Sequence, residues 1–100
     1  MHASIARFTG DPAGLLARYD AMLADESLED VRLHLCLRTD DGIVVVDTCP
    51  TREAHDAFYG GGTFGAMLER YGLPEPATLE DFPVHVAISD GARVTRGAVA

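Results

Sequence analysis

No uninterrupted run of apolar residues in this sequence exceeds four, as in Ile43-Val44-Val45-Val46. A spanning helix needs about 20 such residues, and a secretory signal an apolar segment of about 7 to 15. Membrane insertion and export are therefore not expected, and the expected location is the cytoplasm. Cysteine is scarce too. Cys36 and Cys49 are too few for a disulfide scaffold, and too few for a structural zinc site unless histidines complete it. Basic residues are the third shortage: 8 stand against 16 acids, giving a formal charge of -8 and a pI near 4.7. Such a chain repels phosphate backbones and anionic lipid faces, so neither nucleic acid nor a membrane is an expected partner.

What is present suits one globular core. One hundred residues, 47% hydrophobic and 24% charged, predict a single domain spanning 1–100. His2 to Thr9 reads as a strand, with Ile5 and Phe8 as its larger apolar residues. Asp11 is a good N-cap and Pro12 suits the first helical position, where a missing N–H costs nothing. Leu15, Leu16, Tyr19, Met22 and Leu23 then fall on one helical stripe. Asp25 to Asp30 reads as an acidic loop with only Leu28 to pack.

Val31, Leu33, Leu35 and Leu37 alternate with Arg32, His34, Cys36 and Arg38, the period of a strand. Asp40-Asp41-Gly42 turns the chain into a β-branched strand, Ile43 to Thr48. A two- or three-residue loop sets Cys36 opposite Asp47 or Val46, with Cys49 two or three residues along, so a disulfide would need a register shift. Both thiols are expected reduced and buried. Thr51 caps a second helix whose stripe begins with Ala54, Ala57 and Phe58. Gly60-Gly61-Gly62 interrupts it at about 1 kcal/mol of propensity per glycine. Thr63 is expected to recap a segment carrying Phe64, Met67, Leu68 and Tyr71, which stops at Gly72. Glu75 to Asp81 reads as a loop and Pro83 to Ser89 as the last strand. Residues 90–100 read as a frayed tail or a strand ordered by a partner chain.

Strand, helix, hairpin, helix, strand is the order of the ferredoxin-like βαββαβ fold, an α+β domain with one antiparallel sheet and both helices on one face. Hydrophobic residues at both parities of the strands leave the other face apolar, and a second copy of the chain is its simplest cover. The expected unit is a homodimer.

Ile5-Ala6-Arg7-Phe8-Thr9-Gly10-Asp11, the hairpin Thr39 to Thr48, Arg52-Glu53-Ala54 with Phe58, and Pro83-Val84-His85 together resemble the dimeric α+β barrel superfamily. That group includes the antibiotic biosynthesis monooxygenases, and the likeness is nearest to its small members of undefined function. It covers roughly residues 4–89. The resemblance implies two chains closing a barrel, each holding a small apolar or aromatic ligand between sheet and helices, with no metal or organic cofactor. It also implies, for an enzyme, oxygenation or cyclisation of a polyketide-like or phenolic substrate after a histidine removes a proton. The alternative is a non-catalytic dimeric carrier or interaction module. Two departures stand out. Tryptophan is absent, although haem-degrading members and several cofactor-free monooxygenases place one in the pocket, and the three glycines interrupt what the family makes a longer helix.

Candidate catalytic residues are His34, His85 and Asp47. Each histidine has apolar neighbours, so imidazole in a half-buried cavity can act as acid, base or donor; the plainer reading is a core or interface histidine. On opposite edges of a four-stranded sheet they would stand about 14 Å apart, too far to share a metal within one chain. Asp47 faces His34 or Cys36 according to the loop length and either orients a histidine or caps a loop. Phe58, Phe64, Met67 and Tyr71 would wall a cleft, with Tyr59 adding a phenol and Arg38 fixing an anionic oxygen; packing and solvation are the plainer roles. His55, between Glu53 and Asp56, is expected on the surface. Gly60-Gly61-Gly62-Thr63 lacks the lysine and spacing of a phosphate loop.

Overall fold

The computed structural model describes residues 1–27 and 31–94. The elements are β1 (His2–Thr9), α1 (Pro12–Asp25), β2 (His34–Arg38), β3 (Gly42–Cys49), α2 (Arg52–Gly60), α3 (Thr63–Tyr71), β4 (Thr78–Pro83), β5 (Ile88–Ser89) and β6 (Ala92–Arg93). Four strands pair antiparallel in the order β2-β3-β1-β4, the ferredoxin-like arrangement, with the helices on one face. None of the described helices is long and apolar enough to cross a membrane.

Alternation in β1 puts His2, Ser4, Ala6 and Phe8 on the helix-facing side, where all four are buried. Pairing with β3 sets Ser4 beside Asp47, Ala6 beside Val45 and Phe8 beside Ile43. Phe8 and Ile43 pack with Leu15, Tyr19 and Met22 of α1 and with Leu68 and Leu73. Each large side chain so buried contributes about 1.5–3 kcal/mol. Asp11 caps α1 as its position predicts, its Oδ2 accepting the Gly14 N–H at 3.0 Å, and Thr51 Oγ1 accepts the Ala54 N–H at 3.1 Å at the start of α2.

The glycine break is real and divides α2 from α3. Gly62, not Thr63, is the N-cap of α3: its φ of 90° lies where a side chain is strained. Gly72, at φ 69°, ends α3, and the Leu73 N–H closes back on the Leu68 carbonyl at 2.9 Å, burying Leu73.

At the β2–β3 turn the Thr39 N–H donates to the Gly42 carbonyl at 3.0 Å, leaving Asp40-Asp41 as the two-residue loop. A side chain on Gly42 would run into the carbonyl oxygen of Phe8, so the glycine serves a close strand crossing rather than a positive φ. The turn sits one residue earlier than an Asp-Gly loop would. Cys36 therefore faces Val45, not Asp47 or Val46, and His34 faces Asp47. Neither cysteine forms a disulfide.

The last strand of the sheet departs from expectation. It is Thr78–Pro83, overlapping the expected loop at 75–81 and meeting the expected strand at 83–89 only in Pro83. All six residues of this edge strand are exposed, so it carries charges at positions a half-buried strand would fill with apolar groups. The apolar run after it leaves the sheet. Asp90 and Gly91, both at positive φ (53° and 78°), make the turn between β5 and β6, a primed hairpin turn hidden in what reads as a weakly patterned tail. Leu28 in the acidic connector and residues 95–100 of the expected tail lie outside the described residues.

The opposite face of the sheet carries Ile5, Leu35, Leu37, Val44, Val46 and Phe82. Leu35, Leu37 and Phe82 are 46%, 49% and 52% exposed.

Candidate functional site

Between the helix-facing side of the sheet and the three helices lies a cavity of about 400 Å³. That volume is within the roughly 300–1,000 Å³ of small-molecule pockets. Ala6, Phe8, Ile43 and Val45 form its floor, Tyr19, Met22 and Leu23 its α1 wall, and Phe58, Phe64, Met67 and Leu68 its α2 and α3 wall. Its polar lining comes from His34, Asp47, Thr48 and Tyr59, and from Glu26 and Ser27 beyond the end of α1.

His34, Asp47 and Tyr59 form a chain with Ser4. Ser4 Oγ donates to Tyr59 Oη at 2.7 Å, Tyr59 Oη donates to Asp47 Oδ2 at 3.3 Å, and Asp47 Oδ1 lies 2.9 Å from His34 Nδ1. A carboxylate only accepts, so Nδ1 is the protonated nitrogen of neutral His34 and Nε2 carries the lone pair. Nε2 is buried and has no hydrogen-bond partner among the described residues. The imidazole stacks on Tyr19, with ring centroids 5.8 Å apart and planes 19° from parallel.

Burial sets the protonation of the phenols. Tyr59 is pushed well above the ordinary tyrosine value by desolvation, against the lowering effect of the Ser4 hydrogen bond and with the Asp47 charge adding to the rise. Tyr19 is pushed up to about 12 by desolvation first, then by Cys36, Asp47 and Asp20. Burial also raises the Cys36 thiol, with Asp20 adding to the rise. Both phenols are thus neutral donors at neutral pH. His34 lines the cavity, a carboxylate holds its Nδ1, and its Nε2 is the nitrogen left with a lone pair, an arrangement in which an imidazole can accept a proton.

Of the residues singled out from the sequence, His34, Asp47, Tyr59, Phe58, Phe64 and Met67 line the cavity. His85, Arg38 and Tyr71 do not. His85 is exposed in the segment following β4, because the sheet ends at Pro83 and His85 has no strand to hold it over the core. Arg38 is exposed at the end of β2. Tyr71 packs against the rim of the core, its hydroxyl 3.2 Å from Glu26 Oε1 and 3.3 Å from Asp25 Oδ2. Among the described residues no arginine lines the cavity, and the chain has no lysine.

Ser4 and Tyr19 were not singled out as site residues. The parity of Ser4 with Ala6 and Phe8 is the signal that places it on the inner face. His55 is not a surface residue: it is 4% exposed, with its ring 4.6 Å from that of Tyr59. The spacing His55, Phe58, Tyr59 is itself a helical stripe, and it turns the histidine toward the sheet.

No family model and no curated protein matches this sequence. Among solved structures, the chain is similar to a candidate antibiotic biosynthesis monooxygenase from Chloroflexus aurantiacus, with a TM-score of 0.57 over 83% of this chain and 92% of that one. The two are 14% identical, so the likeness establishes the fold alone. The shared fold is the α+β ferredoxin-like architecture expected from the order of elements.

Proposed function

We propose that this protein binds a small, largely apolar molecule with an acidic C–H or O–H, phenolic or polyketide-like, in the cavity, and that His34 removes that proton. The observation that carries the reading is His34 Nε2, buried without a partner among the described residues, in a cavity-lining side chain whose other nitrogen is held by Asp47. Proton transfer leaves imidazolium beside the Asp47 carboxylate and a delocalised carbanion or phenolate in the ligand. Such an anion reacts with dioxygen in a cofactor-independent monooxygenase, or closes onto a carbonyl of the same molecule in a cyclase. Neither route calls on a resident metal or organic cofactor.

The functional unit in this reading is a homodimer. Leu35, Leu37 and Phe82 on the face away from the helices form an apolar surface that a second copy would cover, closing the two sheets into a barrel. Two thiols without a disulfide fit a reducing, cytoplasmic setting.

A non-catalytic carrier is favoured by one observation: no cationic side chain of the described residues lines the cavity to hold a developing oxyanion. Thermal-shift screening of phenols and 1,3-diketones against the native chain and His34→Ala separates these readings from a purely structural role. Ligand protection in the native chain that is lost in His34→Ala supports the site. Equal protection in both removes His34 from it.

A further inference from the structure

A second cluster of titratable side chains lies where β1 begins. His2 and Ser4 share the helix-facing side of β1, and pairing sets Asp81 opposite Ser4 on β4, so His2 and Asp81 are diagonal neighbours on that side. His2 Nε2 lies 2.7 Å from Asp81 Oδ1. Above them α2 presents His55, its ring 4.7 Å from that of His2 and inclined at 64°. The side chains of His2 and His55 are 6% and 5% exposed, and that of Asp81 is 41% exposed.

The hydrogen bonding within this cluster is incomplete. His55 Nδ1 lies 3.1 Å from Asp56 Oδ1, which fixes Nδ1 as the donor and leaves the lone pair on Nε2. That Nε2 is buried and has no hydrogen-bond partner among the described residues. A buried acceptor without a donor is costly to leave unmet. One ligating atom from each of His2, His55 and Asp81 lies within 4.8 Å of the others. Neighbouring ligands around a small cation with bonds of about 2.0–2.2 Å stand roughly 3 Å apart, so small side-chain shifts close the set. The Asp56 carboxylate behind His55 supplies the support that metal-binding imidazoles ordinarily receive on their second nitrogen.

We propose that His2, His55 and Asp81 bind one divalent transition-metal ion of the zinc class, with water completing its coordination from the open side beside Asp81. Two imidazoles and one carboxylate suit zinc, cobalt or nickel better than the hard cations magnesium and calcium, which prefer oxygen ligands. The ion ties β1, β4 and α2 together. It therefore fastens the helix that carries Tyr59 and Phe58 into the cavity wall, whatever that cavity binds. The site stands independently of the proton-transfer reading, and it revises both the expectation of no metal and the expected surface position of His55.

The test uses the tag-free chain, stripped with chelator and then titrated with Co²⁺ by absorption and with Zn²⁺ by calorimetry at neutral pH. The expected result is one ion per chain, a cobalt d–d spectrum with nitrogen ligands, and a higher melting temperature with Zn²⁺. Asp81→Asn, on an exposed edge strand, stays folded and weakens binding about a hundredfold, and Asp56→Asn weakens it by about 10–100-fold through loss of support to the ring. His55→Phe keeps the ring volume and binds no ion, while His34→Ala binds as the native chain does. Should His55→Phe fail to fold, cobalt-induced broadening of the His2 and His55 ring resonances in the native chain replaces it. Zn²⁺ binding equal in the native and Asp81→Asn chains, or cobalt that broadens no histidine of this cluster, overturns the proposal.

Discussion

Asp47 Oδ1 and His34 Nδ1 stand 2.9 Å apart across the β2–β3 hairpin, directly opposite one another in the strand register. This contact fixes which ring nitrogen carries the proton. In Asp47→Asn the amide nitrogen can donate to the ring, favouring the tautomer with the proton on Nε2. The variant keeps its fold, with a stability loss within about 0.5–1.5 kcal/mol, while proton abstraction from a bound ligand falls by about 10²–10⁴-fold. Nitrogen-15 shifts of the His34 ring, read beside the melting temperature, check both halves of that statement.

Tyr59 joins Ser4 to Asp47, and Ser4 is 1% exposed. Tyr59→Phe leaves the Ser4 hydroxyl buried without its acceptor and costs about 1–3 kcal/mol. Ser4→Ala combined with Tyr59→Phe costs less than the sum of the two single changes, because the second substitution removes the group the first left unpaired. Denaturant unfolding of the four chains in this cycle measures the coupling.

All three tyrosines have raised pKa values, Tyr19 reaching about 12. In the folded chain they hold their protons at a pH where the unfolded chain has released its own. Their contribution to stability is complete below pH 10 and is lost as the pH rises towards 12. Alkaline titration followed by phenolate absorbance runs to higher pH in the native chain, where Tyr19 titrates at about 12, than in denaturant, where the titration is ordinary. Coincident curves would contradict the burial assigned to Tyr19 and Tyr59.

The apolar face makes a separate prediction. Leu37, 49% exposed near the end of β2, becomes buried when a second copy covers the sheet. Leu37→Asp then gives a monomer whose helix-side core is unchanged, as read by sedimentation and circular dichroism. A native chain that is already a stable monomer at micromolar concentration contradicts the barrel arrangement.

The fold could be read from the sequence wherever local signals agreed with burial. Asp11-Pro12 capped α1, Gly72 stopped α3, and β-branched residues after a turn made β3. Reading failed at β4, because an edge strand exposed on both faces shows no alternation, and at Asp90-Gly91, a turn signal passed over among small residues. Half of the site was readable for the same reason: His34 and Asp47 lie on patterned strands, and the hairpin fixes their register. Ser4, His2 and His55 escaped because small or polar residues carry no hydrophobic signal, and only the parity of β1 and the stripe of α2 turn them inward. His85 was misplaced with the strand assigned to it.

A base at His34 would act on a molecule held in the cavity by removing its acidic proton. The most direct measurement of that step follows hydrogen–deuterium exchange at the acidic C–H of an aryl 1,3-diketone in deuterated buffer, with native chain and with His34→Gln at equal concentration. Exchange is expected to be accelerated by the native chain and reduced about 10²–10⁴-fold in His34→Gln, compared at diketone concentrations that saturate each chain. Equal acceleration by both chains, or none by a native chain that binds the diketone, would contradict a base at His34.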